Sequence, residues 1–176
     1  GRVMAALLDV PFIDARDVVK FGPDGKLDNA RTYALLAEAL KGKKRALVTG
    51  FYGEDANGRV KTFSRGGSDI TGALAAAALD ADVYENWTDV SGILMADPRI
   101  VDDPAPIRHL TYGELRELSY IGAQVLHEGT VSPVREKNIP LNIRNTNQPE
   151  HPGTMIREAF DDTAAELQES SMITGI

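Results

Sequence analysis

Ser64-Arg65-Gly66-Gly67-Ser68-Asp69 runs directly into Ile70-Thr71-Gly72-Ala73-Leu74-Ala75-Ala76-Ala77-Ala78-Leu79. A glycine bend opens an alanine-rich run, and alanine is the best helix former. The pattern predicts a helix over 69–79. Two glycines remove side chains where the backbone turns tightly or meets a ligand closely. A helix start offers N–H groups without partners and about half a positive charge. Together these make a place for a carboxylate or a phosphate. Arg65 adds a planar fork suited to a carboxylate, and Asp69 offers a partner for an ammonium group. An arginine and an aspartate at one helix mouth therefore suit the two charged ends of an amino acid. A plain glycine turn with Ser68 or Asp69 as N-cap is the simpler alternative. The stretch is neither G-x-x-x-x-G-K-[ST] nor G-x-G-x-x-G.

Upstream, residues 46–51 (ALVTGF) read as a buried strand leading into FYGEDANGRVKTF. There Asn57-Gly58 lies between two extended runs and predicts a hairpin. Residues 11–15 read as a short strand. Residues 28–40 read as a helix with Asp28 or Asn29 as N-cap, and the opening residues 1–8 as part of an amphipathic helix. The basic run 41–45 fits a solvated helix end. Downstream, 82–87 reads as a strand and 88–106 as a loop rich in Asp, Gly and Pro. Residues 111–123 read as an amphipathic helix whose Thr111 and Glu114 form a capping box. A helix over 129–138, a strand over 139–145, a turn over 146–153 and an acidic helix over 155–169 complete the chain. Strands alternating with helices predict an α/β domain with helices on both faces of a mostly parallel sheet. Ligands in such sheets bind beyond the carboxyl ends of the strands.

Composition narrows the function. The 176 residues are 43% apolar and 26% charged, with a formal charge of −7. So acidic a chain is a poor candidate for nucleic-acid binding, which usually needs a basic face. No stretch reaches the roughly 20 apolar residues that span a membrane, and no signal segment opens it. With no cysteine and three histidines, disulfides are excluded and a zinc site is not expected. A cytoplasmic setting suits this composition.

Two further stretches carry chemistry. Trp87-Thr88-Asp89-Val90-Ser91-Gly92-Ile93, running on to Asp97-Pro98-Arg99, follows a predicted strand. It brings a hydroxyl, a carboxylate, a glycine and a cation, the groups that a nucleotide's ribose and phosphates require, although a plain loop has the same composition. Gly122-Ala123-Gln124-Val125-Leu126-His127-Glu128 reads as a helix ending near a glycine, with His127 packed or capping.

In this order and spacing, the three stretches resemble aspartate kinases of the amino acid kinase family. The similar segments are TGFYGEDANGRVKTFSRGGSDITGALAAAAL, WTDVSGILMADPRIV and IGAQVLHEGTVSPVREKNIPLNIRN, with a later PGTMI. The resemblance implies a three-layer α/β/α sandwich of the amino acid kinase, or carbamate kinase-like, fold. It implies ATP- and Mg²⁺-dependent phosphorylation of the side-chain carboxylate of L-aspartate. Phe51, Arg65, Ser68 and Asp69 would be substrate-site residues, with Arg65 on a carboxylate and Asp69 on the amino group. Thr88, Asp89 and Arg99 would contact the nucleotide. Gln124 falls at an ATP-site position where the family usually has a lysine, and Glu128 where it has a proline. The hairpin at Asn57-Gly58 would lie over the substrate, and a homodimer is implied.

The family's K-F-G-G-[ST] segment, whose lysine reaches the phosphates, does not occur here. Residues 1–156 are therefore expected to be the central and C-terminal part of the kinase domain. Residues 157–176 would be a helix and linker toward regulatory ACT domains, and the chain alone would be inactive. A glutamate or acetylglutamate kinase and a non-catalytic binding module are the alternatives.

Overall fold

The computed structural model describes residues 1–97, 99–120, 126 and 128–160. The chain divides into two compact units, 1–81 and 82–176.

The first unit contains helix α1 (Arg2–Leu8), strand β1 (Phe12–Ile13), helices α2 (Ala15–Val18) and α3 (Asn29–Leu40), strands β2 (Leu47–Val48), β3 (Tyr52–Glu54) and β4 (Val60–Thr62), and helix α4 (Gly67–Ala78). β1 and β2 pair in parallel. β3 and β4 pair antiparallel, with Glu54 opposite Val60. The expected hairpin is thus present, and its turn is closed by Asp55. The Asp55 carboxylate accepts from the Asn57 and Arg59 amides, at 2.8 and 2.9 Å, which holds it below the ordinary aspartate range. The Asp28 side chain caps α3 by accepting from the Arg31 amide at 3.0 Å. Ala15, Val18, Val19, Phe21, Leu36 and Leu74 form the core.

Two sequence expectations change in this unit. The strand expected over 11–15 stops at Ile13, because the Asp14 carboxylate caps the Arg16 amide and starts α2. The buried strand expected over 46–51 shrinks to Leu47–Val48, which is half-buried and pairs with β1. Beyond it the backbone turns at Phe51, whose φ is +66°.

The second unit contains strands β5 (Tyr84–Thr88), β6 (Ile93–Leu94), β7 (Pro106–Ile107) and β8 (His109–Thr111), helices α5 (Tyr112–Tyr120) and α6 (Glu128–Glu136), and strands β9 (Leu141–Asn145) and β10 (Thr154–Arg157). Its main sheet has the order β5-β9-β10-β8. β5 with β9 and β10 with β8 are parallel, and β9 with β10 is antiparallel. Two of three pairings are thus parallel, which agrees with the mostly parallel α/β expectation. The capping box forms as read: Glu114 accepts from the Thr111 amide at 2.7 Å, and the Glu114 amide donates to Thr111 Oγ1 at 3.2 Å.

Two expectations change here as well. The loop over 88–106 contains β6 and reaches β7, which pair antiparallel. The helix expected over 155–169 is a strand at its first three residues. Met155, Ile156 and Arg157 pair with β8, and Met155 and Ile156 also pair with β9, so neighbours on both sides override local propensity. The rest of that helix beyond Phe160, and the end of the 111–123 helix beyond Tyr120, lie outside the described residues. So do Gln124 and His127.

Tyr112 anchors α5 to the strand connection. Its hydroxyl is buried and donates to the Ile139 carbonyl at 2.8 Å. Burial, then the nearby Glu158 carboxylate, push the phenol well above its ordinary range. Tyr112→Phe is expected to leave that carbonyl without a partner and cost about 1–3 kcal/mol of stability. Urea unfolding of the two proteins measures it.

Candidate functional site

The helix mouth of the first unit is assembled by close backbone approach. Gly66 stands at the N-cap of α4 with φ +57°, and no side chain caps the helix. The reading of Ser68 or Asp69 as N-cap is therefore not what forms: α4 begins at Gly67, two residues before the expected start. A Cβ at Gly67 would stand 2.7 Å from Phe51 Cα and 2.9 Å from Phe51 Cβ. Only a residue without a side chain lets the Phe51 turn lie against the first turn of the helix.

Phe51 is held there from three directions. Its amide donates to the Gly67 carbonyl at 3.3 Å and to Thr71 Oγ1 at 3.2 Å. Its carbonyl accepts from the Phe63 amide at 3.0 Å. These bonds offset the strain of a left-handed backbone at a residue with a side chain, roughly 1–2 kcal/mol. The ring stays outside, 54% exposed, edge-on to Tyr52.

Arg65 and Ser68 are exposed beside it, and Asp69 is half-buried in the first turn of α4. The Arg65 guanidinium makes no hydrogen bond or ion pair among the described residues. The mouth thus offers a free fork, a helix start without a capping side chain, and a carboxylate, beside an exposed aromatic ring.

Sequence reasoning missed Thr71. It is 4% exposed, and its hydroxyl donates to the Gly67 carbonyl at 2.7 Å while accepting from Phe51. The i to i−4 bond is a habit of helical threonines, but only the fold reveals that the oxygen also fixes a second loop. Thr71→Val keeps the shape and removes the acceptor. It is expected to cost about 1–3 kcal/mol of stability, the usual penalty for a buried group that loses its partner, as read by urea unfolding. Thr71→Ser keeps the hydroxyl and should recover most of the loss.

The base of the hairpin is tied by charge. Lys20 Nζ lies 2.6 Å from Glu54, and Arg16 lies 3.5 Å from it. The hydrogen bond and charge of Lys20 hold the Glu54 carboxyl below its ordinary range. Tyr52 donates to Asp14 at 3.0 Å, and its hydroxyl is 3.0 Å from Thr49 Oγ1. Neither cluster was singled out from sequence, because Lys20 lies 34 residues from Glu54 and Asp14 lies 38 from Tyr52.

In the second unit, the Thr88-Asp89 loop follows the carboxyl end of β5. Thr88 Oγ1 donates to Asp89 Oδ1 at 3.2 Å. The Thr88 carbonyl accepts from the amide and the hydroxyl of Thr146, at 2.8 and 2.9 Å. Ser91 is held by Asn145 and Gln148. Thr154 Oγ1 accepts from the Ile93 amide at 2.8 Å while a carbonyl of the neighbouring strand takes its proton. The loop therefore rests on the ends of three strands. Arg99 turns back onto Asp97, its Nε 3.0 Å from both carboxylate oxygens. Hydrogen bonds from the Arg99 side chain and amide hold the Asp97 carboxyl down at about 2. The cation at this loop is thus pinned to its own turn.

The chain is thus a mixed α/β protein with a glycine-bent helix mouth after one strand and a threonine-aspartate loop after another. The model of the amino acid kinase family matches residues 2–145, and the chain belongs to that family. It is 46% identical over 117 residues to aspartokinase 3 of Bacillus subtilis, an alignment covering 66% of this chain and 26% of that protein. It is 42% identical over 142 residues to a chloroplastic aspartokinase 3 of Arabidopsis thaliana, covering 77% of this chain and 25% of that one. Among solved structures, aspartate kinase of Clostridium acetobutylicum superposes with a TM-score of 0.85 at 52% identity, over 89% of this chain and 36% of that one. Escherichia coli aspartokinase III with aspartate and ADP superposes at 0.79 and 32% identity, over 92% of this chain and 40% of that one. The chain spans about a quarter of the length of these curated relatives.

Proposed function

We propose that this chain is part of an aspartate kinase, transferring the γ-phosphoryl group of ATP to the side-chain carboxylate of L-aspartate. The observation that carries the proposal is the α4 mouth, with its helix start free of a capping side chain, its Arg65 without a hydrogen bond or ion pair among the described residues, and its half-buried Asp69. Likeness to aspartokinases at 46% and 52% identity supports it.

The chemistry needs no general base. The side-chain carboxylate of aspartate, with a pKa near 3.9, is already an anionic nucleophile at neutral pH. One of its oxygens bonds to the γ-phosphorus, the bond from that phosphorus to the bridging oxygen breaks, and ADP leaves with the electron pair. The barrier is the repulsion of two anions, so positive charge and positioning do the catalysis. Arg65 takes a carboxylate of aspartate, Asp69 its ammonium group, and Ser68 and Phe51 border the site. Thr88 and Asp89 take the nucleotide, together with Gln124 in place of a lysine, and Arg99 joins them by exchanging the Asp97 carboxylate for a phosphate. Mg²⁺ arrives on the phosphates of ATP, a habit of this ion. No group of three acidic or histidine side chains converges among the described residues. No described helix is long and apolar enough to cross a membrane. A cytoplasmic setting and a homodimer belong to the same proposal.

The test is ADP release by the full-length protein with L-aspartate, L-glutamate and N-acetylglutamate as acceptors. Turnover with L-aspartate alone is expected. Turnover with one of the others instead would make the protein a different kinase of its family, and binding without turnover a non-catalytic module.

A further inference from the structure

We propose that Asn57, at the tip of the β3–β4 hairpin, is a self-modification site. Its side-chain amide closes onto the Gly58 nitrogen and is converted, through a succinimide, to aspartate and isoaspartate. The inference rests on the hairpin alone and not on the kinase reading. Seven asparagines occur in the chain, and only Asn57 is followed by glycine.

The hairpin closes below its tip. The Asp55 amide donates to the Arg59 carbonyl at 2.8 Å, and the Asp55 carboxylate holds the amides of Asn57 and Arg59. Ala56, Asn57 and Gly58 stand above that closure, and all three are exposed. The Asn57 side-chain amide makes no hydrogen bond among the described residues, so nothing holds it off the main chain. Ring closure is usually blocked by the side chain of the next residue, which crowds the attacking nitrogen. Gly58 has none. A Cβ built there would meet no atom within 4 Å, so the space around that nitrogen is open. One bond opposes the step: the Gly58 amide donates to the Asp55 carbonyl at 3.1 Å. An exposed hydrogen bond contributes little net, so it slows closure without preventing it. The Arg16 guanidinium, 3.4 Å from the Gly58 carbonyl, sets positive charge beside the residue whose nitrogen must lose its proton, and a nearby cation favours the anionic form.

Hydroxide removes the Gly58 N–H proton. The nitrogen's electron pair bonds to Asn57 Cγ, the Cγ–Nδ2 bond breaks, and Nδ2 takes a proton from solvent and leaves as ammonia. Solvent water then adds to one of the two imide carbonyls and opens the ring. Attack at Cγ restores the main chain and leaves aspartate. Attack at the main-chain carbonyl leaves isoaspartate, whose backbone runs through the side chain and is one methylene longer. Water is consumed, ammonia is released, and no oxidation state changes. Either product adds a negative charge at a turn that already carries the Asp55 carboxylate. Isoaspartate also lengthens a loop whose length fixes the pairing of β3 with β4.

Full-length protein kept folded in mildly alkaline buffer is sampled over days and digested, and mass spectrometry of the peptides reads the conversion at each asparagine. Asn57 is expected to convert at least tenfold faster than every other asparagine, more slowly in mildly acidic buffer, and with isoaspartate as the major product. Its rate in the folded protein should stay within several-fold of that in urea-unfolded protein. Asn57→Gln, which would have to close a larger ring, should remove the early release of ammonia. An intact Asn57 while other asparagines convert would overturn the proposal. So would conversion of Asn57 in the unfolded protein only, or a product that is aspartate alone, which is the mark of direct hydrolysis.

Discussion

Arg65→Ala in the full-length protein is expected to lower kcat/KM for L-aspartate by about two orders of magnitude. The figure follows from the usual worth of one preorganised electrostatic donor, about 2–4 kcal/mol of transition-state stabilisation, or roughly 30- to 900-fold in rate. Stability should not change measurably. The side chain is exposed and makes no hydrogen bond or ion pair among the described residues, so its removal breaks nothing in the fold. That separation is what makes the measurement decisive. Equal unfolding midpoints with a large kinetic loss place Arg65 on the substrate, and an unchanged kcat/KM removes it from the site. Arg65→Lys should recover only part of the loss, because an ammonium cannot form the two parallel bonds of a guanidinium to a carboxylate.

Much of the helix mouth was legible in the sequence because its determinants are local. A diglycine, an arginine before it and an alanine-rich run after it lie within fifteen residues and follow backbone rules. The Thr111–Glu114 capping box and the Asn57-Gly58 hairpin were legible for the same reason. The strand at Met155–Arg157 was not, since it exists only because β8 and β9 lie on either side of it. Thr71 was hidden for a related reason. Nothing local says that a helical hydroxyl meets the amide of a residue twenty positions earlier.

Gly67→Ala sets helix propensity against packing, and the magnitudes decide the sign. Propensity alone favours alanine over glycine in a helix by about 1 kcal/mol, so a reading confined to the sequence would expect a more stable protein. The added methyl, however, would meet Phe51 Cα at 2.7 Å, Phe51 Cβ at 2.9 Å and the Phe51 carbonyl oxygen at 3.1 Å. Two of these three atoms are backbone and cannot rotate away. The Phe51 amide and carbonyl are also tied to Gly67, Thr71 and Phe63. Overpacking of this kind costs about 1–3 kcal/mol, which outweighs the propensity gain. The structure can relieve the contact only by moving Phe51 off the helix start, and that carries its exposed ring away from Arg65 and Ser68. The expected result is a modest fall in the urea midpoint together with a KM for L-aspartate raised more than tenfold, while the KM for ATP holds. A stabilised variant with unaltered aspartate kinetics would mean that the Phe51 turn and the α4 mouth do not lie in the contact that the aspartate site requires.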